Sequence, residues 1–262
     1  MIDLFRRDGR PLSIAHRGAP LVAPENTIAS FAAAVALGVD LVELDVLALR
    51  PGPLVVAHSD RLDEITHGVH EGRIGERSLE ALRELAPEVP TFDEALAWFA
   101  EAAPEIGIHV DLKLRTGVAE VAAAIEGHGV AGRTVVSAFH GDVLREVARA
   151  SSRIRIGFTY PDDRFGISRR QALWPLVSLG LSALRASVPW RVERLLARAD
   201  ATALMLNQAL VTSRTVESAH ALGVPVLAWT VDRPADVVRV IDAGVDGVIT
   251  NDPGMLAATL AT

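Results

Sequence analysis

The chain has 262 residues, of which half are hydrophobic, and it carries a formal net charge of −7 and no cysteine. This length and apolar content suit one large domain, and the acidic balance excludes the broad basic surface that nucleic-acid binding needs. The absence of cysteine excludes disulfide bonds, thiolate catalysis and cysteine-ligated zinc.

The apolar runs are too short for a membrane-spanning helix. The longest cover residues 28–39 and 172–184, and the second is interrupted by Pro175, whereas a span needs about 20 apolar residues. Charged residues interrupt the N-terminal stretch where a signal peptide would be continuously apolar. We therefore expect a cytoplasmic protein without a transmembrane segment.

Short β-branched or leucine-rich runs alternate with alanine-rich helical stretches along the chain. This alternation is typical of βα units arranged around a parallel sheet. Eight strands are predicted, at residues 12–16, 41–46, 107–112, 134–138, 154–159, 203–207, 224–230 and 245–250. We expect a single domain over residues 1–262, an α/β fold of the (β/α)₈ TIM-barrel type.

Helix boundaries are marked by glycines and by one capping motif. Gly38, Gly223 and Gly244 each follow a helical stretch, at the position where a left-handed cap is favoured. Thr91 and Glu94 have the spacing of a capping box, which predicts a helix that begins there.

Two segments depart from simple βα repetition. Residues 54–58 follow the turn 51–53, so we expect a hairpin on the extension of the second strand, which brings His58 beside the carboxylates of that strand. Residues 59–90 after the hairpin and residues 161–201 before the sixth barrel strand exceed an ordinary loop, and either is a candidate lid.

Polar residues lie at the ends of the first two strands, where β/α barrels place their reactive groups. The first strand ends in His16-Arg17-Gly18, which could also be an ordinary surface turn. The second strand carries Glu43 and Asp45 on one face because side chains alternate along a strand. Two converging carboxylates repel each other, so they favour a bound divalent cation; the alternative is a solvated acidic strand end.

The third strand adds another carboxylate and an ammonium group, Asp111 and Lys113, although an ordinary ion pair at a strand end is equally credible. His109 shares their face but lies deeper, where a hydrogen-bonded core histidine is expected. Trp229 ends the apolar run of a later strand, and Asn251 and Asp252 follow the last strand. Packing of Trp229, or helix capping by Asn251 or Asp252, explains them at least as well as ligand contact does.

The ordered set of motifs resembles the glycerophosphodiester phosphodiesterase family. The likeness runs through His16-Arg17-Gly18, Pro24-Glu25-Asn26-Thr27, Glu43-Leu44-Asp45-Val46, Val55-Val56-Ala57-His58, Asp111-Leu112-Lys113, Ser137-Ala138-Phe139, Trp229-Thr230-Val231-Asp232 and residues 247–253. It spans most of the chain and is weakest from about residue 160 to residue 201.

The resemblance implies a role for each matching residue. Glu43, Asp45 and Asp111 match the family's metal ligands, and His16 and His58 match its acid–base pair. The phosphate- and substrate-binding positions are matched by Arg17, Lys113, Glu25, Asn26, Phe139 and Trp229.

The chain departs from the family pattern at two positions. Ser59 stands where an aspartate commonly follows the second histidine, and Asp60 is a candidate replacement. Asp111 stands where glutamate is frequent. A shorter carboxylate still offers an anionic oxygen, so we expect metal binding to be retained.

The resemblance predicts hydrolysis of glycerophosphodiesters such as glycerophosphocholine, with one divalent ion: Mg²⁺ or Ca²⁺, with Mn²⁺ as a further candidate. Two alternatives fit the same residues: a lysophospholipase D-type enzyme acting on single-chain lysophospholipids, or a barrel that binds phosphodiesters without turnover. The expected partner is a small-molecule phosphodiester and not a nucleic acid; transient lipid contact stays open, and nothing in the sequence indicates an oligomeric state.

Overall fold

The computed structural model describes residues 1–66, 68–162 and 174–261. It contains nine strands: β1 Leu12–Ala15, β2 Leu41–Ala48, β3 Leu54–Val56, β4 Gly107–Leu112, β5 Thr134–Ala138, β6 Arg155–Tyr160, β7 Ala203–Asn207, β8 Val226–Trp229 and β9 Gly247–Thr250. His67 and residues 163–173, the latter within the candidate lid, lie outside the described residues.

Eleven α-helices occur within the described ranges: α1 Ile28–Ala36, α2 Leu62–Ile65, α3 Leu79–Leu85, α4 Phe92–Ala102, α5 Val118–Gly127, α6 Gly141–Ala150, α7 Trp174–Ser187, α8 Val192–Ala197, α9 Ser213–His220, α10 Pro234–Asp242 and α11 Pro253–Leu260. None of the helices in these ranges is long and apolar enough to cross a bilayer.

Eight parallel strands close into a barrel. Each pairs with its neighbours in the order β1, β9, β8, β7, β6, β5, β4 and β2, and β1 also pairs with β2. The predicted TIM-barrel fold is therefore confirmed. The predicted hairpin is confirmed as well, because β3 runs antiparallel to the extension of β2, with Val46 opposite Val56.

Most predicted boundaries hold within two residues, and the differences have local causes. The strand predicted from residue 224 begins at Val226, because Pro225 before it has no N–H to donate to the sheet. Glycines 38, 223 and 244 all have positive φ, as a left-handed helix end requires. The capping box of Thr91 and Glu94 is formed at the start of α4.

Two apolar layers and one polar layer define the barrel. A large core lies between the strands and the surrounding helices. Inside the barrel, a second apolar cluster that includes Leu12, Leu41 and Met205 fills the amino-terminal end. Because every second residue of a strand points inward, the face that begins at Leu41 continues to Glu43 and Asp45. The inward face thus changes from apolar to polar toward the carboxyl-terminal mouth.

The insertion after the hairpin carries its own small core. Leu49, Val55, Leu62, Ile74 and Leu82 are buried together in it. This cluster fixes the hairpin against the insertion at one side of the barrel mouth, which is where His58 leaves β3.

Candidate active site

Three carboxylates converge at the carboxyl-terminal mouth of the barrel. Glu43 and Asp45 lie on β2 and Asp111 on β4, and the strand register places Asp45 directly beside Asp111. One ligand oxygen from each of the three lies within 4.8 Å of the other two. The three residues are 3%, 0% and 6% exposed, so water does little to relieve the mutual repulsion of their carboxylates.

Two cations contact the same carboxylates. Lys113 Nζ lies 2.5 Å from Asp111 Oδ2 and 3.0 Å from Asp45 Oδ1, and Arg17 Nε lies 3.1 Å from Asp45 Oδ2. Burial opposes ionisation of Asp45, but the charges of Lys113 and Arg17 hold its pKa below the usual range. Burial likewise opposes the charge of Lys113, and Asp111 and Asp45 nevertheless raise its pKa.

Glu43 experiences a different field from that of Asp45, although the two are only two residues apart. Burial, followed by repulsion from Asp45 and Asp111, raises the pKa of Glu43 well above its ordinary value. Its Oε2 accepts a hydrogen bond from the backbone N–H of Arg17 at 2.8 Å. When all three are ionised, they carry one more negative charge than Arg17 and Lys113 supply, and a further cation would stabilise that form.

The loop between β1 and α1 is attached to these carboxylates. Arg17 donates to both oxygens of Glu25, each at 2.9 Å. The Asn26 amide donates to Asp45 Oδ2 at 2.9 Å, and its carbonyl oxygen accepts from the Asp45 backbone N–H at 3.1 Å. The Glu25-Asn26 motif thus shapes the site by orienting a candidate metal ligand and a candidate phosphate-binding cation.

His16 lies at the end of β1 and is held by a chain of hydrogen bonds. Its Nδ1 is 2.7 Å from Asn251 Oδ1, and the Asn251 amide in turn donates to Asp232 Oδ2 at 2.8 Å. An amide oxygen can only accept, so Nδ1 carries the proton and Nε2 keeps its lone pair. Burial first, and then the charge of Arg17, lower the pKa of His16 to about 4.

Asn251 and Asp232 are functional candidates that the sequence reasoning missed. Asn251 follows β9, and sequence alone explained it equally well as a helix cap. In the structure Asp252 caps α11, by accepting from the Met255 N–H at 2.8 Å, and this leaves the amide of Asn251 to contact His16. Asp232 also accepts from the Asn251 backbone N–H at 2.8 Å.

His58 reaches the site from the hairpin, as predicted. The charges of Asp45, Arg17 and Lys113 all act on its ring, which places it in the same field as His16. Burial is the largest influence and lowers the pKa of His58.

Asp60 does not take the place of the aspartate that commonly follows the second histidine. Its Oδ1 accepts from the Gly75 N–H at 2.7 Å, and its Oδ2 lies 2.6 Å from Arg73. Asp60 therefore holds the insertion, and Ser59 accepts from the Arg61 N–H at 3.1 Å. Both side chains are engaged with the segment that follows His58.

A buried hydrogen-bonded chain supports Asp111 from below. His109 Nε2 lies 2.8 Å from Ser137 Oγ, and Ser137 donates to Asp111 Oδ1 at 2.5 Å. The expectation that His109 is a hydrogen-bonded core residue is confirmed. Because Ser137 occupies Oδ1, it directs the other oxygen of Asp111 toward Lys113 and the carboxylate cluster.

Two aromatic rings form one wall of the mouth. The ring centroids of Phe139 and Trp229 are 6.1 Å apart in an edge-on arrangement. Lys113 Nζ lies 5.9 Å from the centre of the Phe139 ring, and the Trp229 indole donates to the Met205 carbonyl oxygen at 3.0 Å. All eleven side chains nominated from the sequence thus lie at the mouth or in the layer that supports it.

The donor set fits a hard divalent cation. Carboxylate oxygens are the ligands that Mg²⁺ and Ca²⁺ prefer, and three of them meet within one ligand shell here. Asp45 Oδ1 is buried and makes no hydrogen bond in the part of the chain that the structure describes, although Lys113 Nζ lies 3.0 Å from it. The chemistry and the convergence of the three carboxylates are what fit a bound divalent ion.

Comparisons with known proteins give one consistent result. The model of the Glycerophosphoryl diester phosphodiesterase family matches residues 16–255. A glycerophosphodiester phosphodiesterase of Caldanaerobacter subterraneus subsp. tengcongensis is 31% identical, over 94% of this chain and 96% of that protein. A Thermotoga maritima glycerophosphodiester phosphodiesterase structure has a TM-score of 0.74 at 22% identity and covers 95% of this chain and 98% of that one.

A further solved structure shares the fold. It is an Oleispira antarctica phosphodiesterase in complex with its product sn-glycerol-3-phosphate, with a TM-score of 0.74 at 22% identity; the match covers 96% of this chain and 97% of that one.

Proposed function

The chain belongs to the glycerophosphoryl diester phosphodiesterase family, and we propose that it hydrolyses glycerophosphodiesters such as glycerophosphocholine to glycerol 3-phosphate and an alcohol. The observation that carries this proposal is the convergence at one mouth of three carboxylates and two cations, with two imidazoles in the same field. The product named for the Oleispira antarctica structure supports the choice of substrate.

Glu43, Asp45 and Asp111 would hold one divalent ion, Mg²⁺ or Ca²⁺, with Mn²⁺ as a further candidate. When bound, the ion supplies positive charge to the phosphoryl oxygens and lowers the pKa of a coordinated hydroxyl. Phosphate binding and proton transfer are carried out by side chains at the same mouth.

Arg17 and Lys113 bind the non-bridging oxygens of the diester. A phosphodiester anion resists attack because its negative charge repels a nucleophile, and guanidinium and ammonium groups reduce that repulsion. Both cations are fixed by the carboxylates they contact, so little conformational entropy is lost when the phosphate arrives.

His16 is the general base and His58 the general acid. The Nε2 lone pair of His16 is the proton acceptor, because Nδ1–H is directed to Asn251 and the pKa of about 4 keeps the ring neutral at neutral pH. His58, which follows the hairpin, donates a proton to the departing alcohol. Burial lowers the pKa of its ring, but Asp45 and the bound phosphate anion both favour the protonated form. The nucleophile is a neighbouring substrate hydroxyl or water, and family analogy favours the hydroxyl, which gives a cyclic phosphate intermediate.

The test is release of glycerol 3-phosphate from glycerophosphocholine, with each metal and with chelator. His16→Ala and His58→Ala should each lower kcat by about 10²- to 10⁴-fold, the usual contribution of general acid–base catalysis. His128→Ala is the matched control, because His128 pairs with Asp93 on the outer surface. Full activity of His16→Ala would refute the base assignment, and detection of a cyclic phosphate would identify the nucleophile.

A lysophospholipase D-type activity remains a second candidate, and one observation favours it. Leu21 and Val22 are 72% and 68% exposed on the same loop that carries Arg17, so an apolar surface borders the mouth. The apolar segment 172–184 that also suggested lipid lies partly outside the described residues. Faster hydrolysis of lysophosphatidylcholine than of glycerophosphocholine would select this candidate.

Turnover also separates both enzymes from a barrel that only binds phosphodiesters. Failure to release product with each of Mg²⁺, Mn²⁺ and Ca²⁺ would favour the hypothesis of a barrel that binds phosphodiesters without turnover.

A further inference from the structure

A cationic cavity of about 340 Å³ lies beside the catalytic mouth, within the volume range of small-molecule sites. The residues that line it include three arginines, one aspartate and two phenylalanines: Arg115, Arg145, Arg198, Asp142, Phe139 and Phe158. None of the three arginines has a role in the mechanism proposed above.

The cavity carries an excess of positive charge in a protein whose net charge is −7. Asp142 is the one carboxylate among its described lining residues, and it lies 3.2 Å from Arg115. Arg145 donates to the backbone carbonyl oxygen of Arg198 at 2.6 Å, a contact that orients its guanidinium without neutralising it. Concentrated positive charge of this kind attracts anions.

The cavity shares a wall with the catalytic site. Phe139 lines it, and the same ring lies 5.9 Å from Lys113, the proposed phosphate-binding ammonium group. Arg115 follows Lys113 by two residues, so the two cations leave β4 on the same short segment. A group attached to a phosphate on Lys113 can therefore extend past Phe139 toward Arg115.

We propose that this cavity is a subsite for the alcohol portion of the substrate and that it selects alcohols bearing an anionic group, a carboxylate or a second phosphate. The inference rests on the proposed function and adds a substrate class to it. The Phe139 ring contacts the carbon skeleton of the alcohol, and the arginines bind its anion. A cationic alcohol such as choline meets like charge there, so glycerophosphocholine should be hydrolysed with a lower kcat/KM than a diester whose alcohol is anionic.

A matched pair of substrates tests the proposal. Glycerophosphoserine and glycerophosphoethanolamine differ by one carboxylate on the alcohol, and each contains one phosphodiester group. The wild-type protein, assayed with its metal, should hydrolyse the serine diester with a kcat/KM about three- to tenfold higher, as expected for an anion on partly exposed arginines. The ratio should fall as salt is added, because exposed charges are screened.

Three variants give opposite or null effects on that ratio. Arg145→Gln should lower it about three- to fivefold, and Asp142→Asn should raise it by a similar factor, because one removes and the other adds net positive charge. Arg149→Gln is the control, since Arg149 lies on the same helix, one turn beyond Arg145, and does not line the cavity. Hydrolysis of the ethanolamine diester by each variant reports whether the catalytic site is intact.

The outcomes separate this inference from the proposed function. Equal hydrolysis of the two diesters by the wild type, or equal losses on both in Arg145→Gln, would overturn the subsite and leave the phosphodiesterase standing. No hydrolysis of either diester would overturn the proposed function and the subsite with it. A ratio of serine to ethanolamine diester hydrolysis that falls in Arg145→Gln and rises in Asp142→Asn supports the subsite.

Discussion

Replacement of Asn251 by alanine should impair catalysis without weakening substrate binding. The amide oxygen of Asn251 accepts from His16 Nδ1 at 2.7 Å and fixes the tautomer in which Nε2 is free to take a proton. Among the described residues, Asn251 contacts His16 and Asp232 and neither the candidate metal ligands nor the candidate phosphate-binding cations. The variant therefore removes a positioning group and leaves the binding groups in place.

The size of the effect follows from the lost hydrogen bond. A buried donor left without its acceptor costs about 1–3 kcal/mol, and the ring can avoid that cost by moving its proton to Nε2 or by turning. At 1.4 kcal/mol per factor of ten, the productive arrangement becomes about five- to 150-fold rarer. We expect kcat to fall by a factor in that range, with KM changed by less than about twofold.

Exchanging the side chains of Asn251 and Asp232 should restore activity and shift its pH dependence. In Asn251→Asp/Asp232→Asn, the new carboxylate accepts from His16 and from the new amide, so each hydrogen bond has a donor and an acceptor. A carboxylate beside Nδ1–H stabilises imidazolium and raises the pKa of His16 from about 4. Because the base must be neutral, the acid limb of the kcat/KM profile should move to higher pH.

Release of glycerol 3-phosphate, measured from pH 4 to 9, checks both variants. Asn207→Ala is the control, because Asn207 also ends a barrel strand but its side chain caps the following turn through the Ala209 N–H at 3.0 Å. An unchanged kcat in Asn251→Ala would show that His16 needs no positioning by this amide. A double variant with no shift in its acid limb would show that His16 does not set that limb.

Four further perturbations are expected to act on metal binding or stability. Chelator should abolish turnover, and readdition of the divalent ion should restore it and raise Tm, since a ligand of the native state stabilises it by mass action. Ser137→Ala should weaken metal affinity about 10- to 100-fold in a direct titration, because it removes the hydrogen bond that orients the carboxylate of Asp111. Gly18→Ala should lower Tm and kcat, because φ is +85° and a Cβ would overlap Ser30. Phe99→Ala should cost about 3–5 kcal/mol of unfolding free energy in a denaturant titration, as for other buried aromatic truncations.

Alternation along single strands made the acidic cluster predictable. Glu43 and Asp45 share a face of one strand, and the adjacent parallel strand places Asp111 at the same height. The hairpin was equally local, because a turn at residues 51–53 returns the chain beside the strand it has just left. These features depend on period and short-range geometry, which a sequence displays directly.

The hydrogen-bonded chains around the site were not predictable in the same way. His16 and Asn251 are 235 positions apart, and they meet only because β1 and β9 close the barrel as neighbours. Whether Asn251 caps a helix or holds an imidazole depends on which way one amide turns, and Asp252 settles this by taking the cap. A pattern of residue types cannot distinguish those two rotamers.

The β1–α1 loop links the candidate phosphate-binding arginine to two candidate metal ligands. Arg17 and Asn26 both have φ near +59°, a region that non-glycine residues rarely occupy and that costs about 1–3 kcal/mol for each strained residue. The contacts that hold them there are to the candidate metal ligands: the Arg17 N–H donates to Glu43, and Asn26 is bonded to Asp45 twice. A change in either carboxylate therefore releases the loop that carries the phosphate-binding guanidinium. Replacement of Glu43 or Asp45 by alanine removes a negative charge, which by itself would favour the phosphate anion. Because the strained loop relaxes away from the mouth, we expect phosphate binding, measured by direct titration, to weaken instead.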